Sequence, residues 1–285
     1  MNYQSDFVIS DEAQRFRKNN IRNIMKRAPV VVFFYDDQQI LNPPEEGWRK
    51  VFLEEAFHLK KDLVELNLDA AVRCRGGEDY HEWIESLLNL NTLSPSQELI
   101  KRWADRYKFI IFNDIVAMRD SMKDIYGAEK NNVALVASFT ESDGRPGNKT
   151  RVGYPLQSGF EIYKGMNIHI EWLMEQNEYR HFWLEGGSNM LTHCASIYGS
   201  QGFESDYIGV IWGRDFVIRN GKWNVGDCSI IYDNIDGLQT SCRNNPDLCL
   251  KLLQNRYRIF LTRGMLGTFI YCEDEETKNY LMNLI

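Results

Sequence analysis

The feature that most constrains this chain is a repeated alternation: short β-branched and aromatic runs, separated by stretches with helical spacing. Asp6-Phe7-Val8-Ile9-Ser10 stops at Asp11-Glu12 and is followed by a polar, helix-compatible segment to about Lys26. Val30-Val31-Val32-Phe33-Phe34-Tyr35 stops at Asp36-Asp37. After Pro43-Pro44, Glu46 to Lys60 carries Trp48, Phe52, Glu55 and His58 in helical step, and Leu63-Val64-Glu65-Leu66-Asn67-Leu68 reads as a strand. Further strands are predicted at Phe109 to Phe112, Val133 to Val136, Thr192 to Ile197, Tyr207 to Ile211 and Thr268 to Cys272. Strands alternating with helices predict an α/β fold with a parallel sheet, not a sandwich or a bundle.

With 285 residues, 44% hydrophobic and 26% charged, the chain can bury one large or two small cores. The pattern weakens between Leu88 and Gln97, which marks a candidate domain boundary, and Glu141 to Gly165, rich in Gly, Pro and polar residues, reads as a surface loop or insertion. No apolar run reaches the roughly 18 residues of a membrane span, and the first residues lack the basic and apolar regions of a signal peptide. A cytoplasmic location without membrane contact is therefore expected. The six cysteines show no C-x-x-C pair and read as buried free thiols. A formal charge of -7 excludes a protein coated in basic surface, while leaving room for a local Lys/Arg groove.

Two neighbouring strands ending in acid, Asp11-Glu12 and Asp36-Asp37, form the first candidate site, since doubly wound sheets bind ligands beyond strand carboxyl ends. Nucleotide hydrolysis needs one carboxylate to hold Mg²⁺ and another to orient or deprotonate water. Taken singly, such ends are more often helix caps. Arg263 stands among Ile259, Phe260, Leu261 and Met265, where a guanidinium is costly unless it faces a cleft or a carboxylate. Alone, Arg73 reads as a surface arginine and Gly202 and Gly264 as turn glycines. His81, His169 and His193, with Trp172, Trp183 and Trp212, read as packing or surface residues.

Five segments together change those readings. Asp11-Glu12-Ala13-Gln14-Arg15 resembles the D-E-A-Q form of a helicase Walker B motif, and Asp36-Asp37-Gln38-Gln39 resembles the D-x-x-Q motif that follows it. Val72-Arg73-Cys74-Arg75-Gly76 resembles motif four, Ser200-Gln201-Gly202-Phe203-Glu204-Ser205-Asp206-Tyr207 motif five, and Leu261-Thr262-Arg263-Gly264-Met265 motif six of superfamily 1. In this order, and with Tyr80 and Trp83 after Arg73-Cys74, they resemble the Schlafen group-3-like DNA/RNA helicase domain, from about Phe7 to Cys272.

The resemblance implies RecA-like parallel sheets with flanking helices. Residues 1–94 would be a partial first lobe holding the Walker B, D-x-x-Q and R-C motifs, and 95–285 a complete second lobe holding motifs five and six. It implies that Asp11 contacts Mg²⁺, Glu12 activates water, and Gln39 senses the γ-phosphate of ATP. Arg73 and Arg263 would neutralise charge on the transferred group, Glu204 would bind the ribose, and Gln201 and Gly202 would couple nucleotide to single-stranded DNA or RNA. The chain departs from the family pattern at Ala71, Tyr198-Gly199 and Ser205, which bears most on the coupling step.

A phosphate loop of the form G-x-x-x-x-G-K-[ST] is not found. Gly144 to Thr150 imitates it, but Asn148 separates the glycine from the lysine and the segment follows the Walker B motif. Because the family places that loop well ahead of D-E-A-Q, the expectation is an incomplete first lobe, from a split gene or a start at an internal methionine. Such a lobe should expose apolar sheet surface, need a partner chain or segment, and be inactive alone. The alternatives are a non-catalytic nucleic-acid-binding module and, more weakly, a metal-dependent nuclease built on Asp11, Glu12, Asp36 and Asp37.

Overall fold

The computed structural model describes residues 5–68, 74–138, 168, 170–172, 179–231 and 237–285. Arg73 and the loop expected over 141–165 lie outside them. The two acid-terminated runs form β1 (Phe7–Ser10) and β2 (Val30–Phe33), paired in parallel with Phe7 opposite Val30 and Ser10 opposite Phe33. Helices α1 (Lys18–Met25) and α2 (Arg49–His58) cover one face of this pair, where Ile21, Met25, Phe52 and Ala56 bury a small core against Phe33 and Tyr35. The opposite face is bare, with Phe7 64% and Ile9 61% exposed alongside Val30 and Val32. Parallel sheets are normally covered on both faces, so this apolar surface is unusual.

The larger sheet comprises β3 (Lys108–Phe112), β4 (Val133–Ala137), β5 (Glu171–Trp172), β6 (His193–Ala195), β7 (Ser205–Trp212) and β10 (Gly264–Cys272). Its order is β3-β10-β7-β4-β6-β5 and each pairing is parallel. β4 is apolar and buried at all five positions, as a strand packed on both faces requires. Helix α5 (Ile115–Glu129) lays Met118 and Met122 into the core that this sheet shares with α3 (Gly77–Leu88) and α4 (Gln97–Trp103). Tyr80, Trp83, Trp103, Tyr107 and Phe109 form an aromatic cluster where α3 and α4 meet β3. The short helices α6 (Tyr179–Leu184) and α7 (Ile197–Ser200) precede and follow β6 in the chain.

Three elements differ from the sequence expectation. The alternating run from Leu63 to Leu68 forms no strand: it has no sheet partner among the described residues, and alternation cannot replace the hydrogen bonds of a ladder. Glu65 instead pairs with Arg49, while Val64 and Leu66 stay exposed. An antiparallel hairpin, β8 (Phe216–Arg219) with β9 (Lys222–Val225), turns on Asn220-Gly221, both at positive φ. That dipeptide is the turn chemistry a two-residue hairpin demands. Two of the six cysteines are not free: Cys242 in α8 (Leu238–Asn244) bonds to Cys249 in α9 (Pro246–Leu261), because the turn between these helices returns one cysteine to the other. The chain closes with α10 (Glu275–Leu284). The whole is an α/β fold of RecA-like parallel sheets with flanking helices, and no described helix is long and apolar enough to cross a membrane.

Candidate functional site

At the carboxyl end of β1 the chain turns sharply. Glu12 has φ 51° and ψ 36°, a left-handed conformation that a non-glycine residue holds only against strain of about 1 kcal/mol. Asp11 Oδ1 accepts from the Glu12 backbone N–H at 2.9 Å, and Glu12 Oε2 accepts from Gln14 Nε2 at 2.6 Å. Gln14 is buried, and its Oε1 accepts from the Asp36 backbone N–H at 3.4 Å. Asp36 in turn accepts from Gln38 N–H at 2.9 Å and from Gln39 Nε2 at 3.0 Å. Gln14 therefore ties the two acidic strand ends into one cluster containing Asp11, Glu12 and Gln39. Burial, with Asp36 beside it, pushes the neighbouring Asp37 carboxyl upward, against the Arg49 N–H that it accepts at 2.9 Å.

Motifs five and six sit at the amino ends of β7 and β10. Ser205 N–H donates to Arg263 O at 3.4 Å, and Gly264 pairs with Ser205, so Glu204 and Arg263 flank one another across adjacent strands. The turn carrying the half-buried Arg263 is fastened on several sides. Tyr80 Oη donates to Leu261 O at 2.7 Å, Tyr107 Oη to Gly264 O at 3.2 Å, and Arg75 N–H to Met265 O at 2.8 Å. This last bond brings the segment following Arg73 to motif six. Gly264 is a close-approach glycine, since a Cβ there would lie 2.1 Å from Gly267 O. Gly202, at φ +81° with open space around it, serves the turn by conformation alone.

The two groups of residues meet. Arg15 Nη2 donates to Gln201 Oε1 at 2.6 Å, Tyr198 Oη to Asn42 Oδ1 at 2.6 Å, and Asn255 Nδ2 to Asp37 O and Ile40 O at 3.1 and 2.8 Å. Arg256, fully buried, reaches Asn42 Oδ1 at 3.0 Å and Leu41 O at 3.3 Å. Arg15 and Gln201 lie in the motifs; Asn42 and Asn255 lie outside them. Asn255-Arg256-Tyr257-Arg258 carried a signal nonetheless, as a polar stretch set between Leu252-Leu253 and Ile259-Phe260 in a helix that buries both. Asp11 and Asp36 stand at adjacent strand ends, and their carboxylate oxygens are the donor type that could hold Mg²⁺.

Parallel RecA-like sheets, with acidic strand ends on one and Glu204 beside the Arg263 turn on the other, have the arrangement of a helicase-type lobe. The sequence profile of the Schlafen group 3, DNA/RNA helicase domain family matches residues 1–274, and the chain belongs to that family. Nucleic acid is the class of partner the family implies. The chain is also similar to an uncharacterized protein of Saccharomyces cerevisiae, 23% identical over 314 residues that cover 98% of this chain and 64% of the relative. The chain thus spans less than two thirds of that relative's length.

Proposed function

We propose that this chain supplies helicase or translocase machinery in which Mg²⁺-dependent ATP hydrolysis drives movement on single-stranded DNA or RNA. Asp11 would hold Mg²⁺, which draws charge from the phosphates when bound, and Glu12 would take the proton of the attacking water. Gln39 would report the γ-phosphate, Arg263 and Arg73 would offset its charge, and Glu204 would bind the ribose. The observation that carries this reading is the Arg15–Gln201 hydrogen bond, which places the end of D-E-A-Q-R on the S-Q-G turn. The sequence contains no phosphate loop, so hydrolysis requires a Walker A segment from elsewhere, and the bare face of β1 and β2 is where the remainder of that lobe would pack.

The test is strand-stimulated ATP hydrolysis by the chain combined with a Walker A-bearing segment. Activity should appear only in the combination and should fall by about 10³ or more in Arg263→Ala and in Glu12→Gln. Unchanged activity in Arg263→Ala removes that residue from the site. The absent phosphate loop also favours a second reading, a non-catalytic nucleic-acid-binding module. It would show salt-sensitive strand binding without hydrolysis in every combination.

A further inference from the structure

Three sulfur atoms converge beside the β8–β9 hairpin. Cys228 opens the 3-10 turn Cys228–Ile230, Cys242 lies near the end of α8, and Cys249 lies in the first turns of α9. Their sulfurs all lie within 4.8 Å of one another. Cys242 and Cys249 are joined as a disulfide, and Cys228, half-buried, is a free thiol.

The gathering does not depend on that bond. Asp227 caps the turn of Cys228 by accepting from Ser229 N–H at 3.0 Å. Gln239, on α8, donates from Nε2 to Cys228 O and Ile231 O, each at 2.9 Å, which fastens the turn to the helix bearing Cys242. The α8–α9 junction is set by Asn245 N–H to Ser241 O at 2.7 Å and Cys249 N–H to Asn245 O at 3.0 Å, with Asn245 Oδ1 capping α9 at Leu248. Reduction of the disulfide therefore leaves three thiols held together by backbone that has no need to reorganise.

We propose that Cys228, Cys242 and Cys249, when the Cys242–Cys249 pair is reduced, bind a thiophilic divalent cation of the zinc class, and that the disulfide closes this site. Zinc takes thiolate sulfur at about 2.3 Å in tetrahedral sites, which sets neighbouring sulfurs about 3.8 Å apart. Cys228 Sγ, within 4.8 Å of the other two sulfurs, needs to move by no more than about 1 Å to meet that spacing, and the Cys242 and Cys249 sulfurs part when their bond is reduced. Three protein ligands leave the fourth position to water or to a further donor, with entry on the side of the half-buried Cys228. Reduction adds two electrons and two protons to the disulfide, supplied by a dithiol that leaves as its own disulfide. Cation binding then displaces the thiol protons. The sequence spacing, 14 and 7 residues, matches no zinc signature, because two helices and a turn assemble the site instead of a short knuckle.

The test uses the full chain, metal-stripped and reduced with a phosphine. Zinc should bind at one equivalent in equilibrium dialysis. Zinc X-ray absorption should show three sulfur neighbours at about 2.3 Å. Cobalt should give sulfur-to-metal charge-transfer absorption. Oxidation of the Cys242–Cys249 pair, or Cys228→Ser, should weaken zinc binding at least tenfold, while Cys74→Ser, outside the cluster, should leave it unchanged. Absence of stoichiometric zinc, a coordination shell lacking sulfur, or full binding by Cys228→Ser overturns the proposal. Should Cys228→Ser fail to fold, the absorption spectrum of the unaltered chain decides alone.

Discussion

Arg15 and Gln201, 186 positions apart in sequence, are joined by a 2.6 Å hydrogen bond from Nη2 to Oε1. It couples the strand end of the small sheet to the turn ahead of β7. Arg15 also lies 3.8 Å from Glu45 Oε1, and its side chain is 41% exposed, so solvent screens both interactions. Arg15→Ala and Gln201→Ala are each expected to lower the unfolding free energy by no more than about 1 kcal/mol. A double-mutant cycle in urea should return a coupling of about 0.5 kcal/mol or more between them. Strict additivity would mean that the contact is not formed in solution.

The bare face of β1 and β2 gives a prediction of opposite kind. Ile9→Thr and Val32→Thr keep β-branched side chains on exposed positions and should change stability by less than about 0.5 kcal/mol while reducing self-association in sedimentation velocity. On the covered face, Phe52→Ala should cost about 3 to 5 kcal/mol, since Phe52 packs on Phe33 and Tyr35 with ring centroids at 5.1 and 4.5 Å. A loss for Ile9→Thr as large as that for Phe52→Ala would show that the face is buried.

These contrasts also mark what a sequence discloses. Val133 to Ala137 announces a parallel strand because apolarity at each position has one structural use, and the acid after β1 and β2 is visible because it interrupts such runs. Leu63 to Leu68 misleads for the complementary reason: alternation describes a surface suited to a ladder and says nothing about whether a partner exists. The support of Arg263 by Tyr80 and Tyr107 could not be read ahead, since those tyrosines lie on α3 and just before β3, and only the fold brings their hydroxyls to Leu261 O and Gly264 O. The same holds for the Cys242–Cys249 bond, which depends on the geometry of a helix–helix turn.

Glu273 should make stability fall with rising pH. Burial pushes its carboxyl from the ordinary 4.5 up to about 7, against the pull of Arg214 at 3.6 Å. Because the folded state holds this proton more tightly than the unfolded chain, stability is greatest below about pH 4.5 for this group and is lost up to about pH 7, on the order of 3 kcal/mol in all. Adjacent Asp274 acts outside that window. Burial raises its carboxyl, but hydrogen bonds from Arg219 and Thr277 outweigh this and hold it near 2, so its contribution disappears only in stronger acid. His81, lowered by burial, has the opposite slope below its ordinary 6.5. Comparison with Glu273→Gln isolates the effect: urea midpoints of the unaltered chain should drop more between pH 5 and 8 than those of the variant, and parallel curves would refute the assignment.

Asn255 is the buried link between α9 and the D-x-x-Q loop. Its Nδ2 satisfies the carbonyls of Asp37 and Ile40, and its Oδ1 accepts from Arg258 Nη1 at 2.7 Å. Asn255→Leu keeps the volume but strands these partners, and each buried group left unsatisfied costs about 1 to 3 kcal/mol, so a total loss of about 2 to 4 kcal/mol is expected. Asn255→Asp retains the acceptor for Arg258 yet turns an anion toward two carbonyl oxygens, so it should recover little of that loss. The distinguishing measurement is amide hydrogen exchange under native conditions. Gln39 and Ile40, whose N–H groups bond to Asp36 O and Asp37 O, should exchange faster in Asn255→Leu by more than the global destabilisation accounts for. Arg75, whose N–H bonds to Met265 O in β10, beyond the far end of α9, should track global stability alone. Equal acceleration at both places would mean that Asn255 supports the fold as a whole without specifically anchoring the loop that bears Gln39.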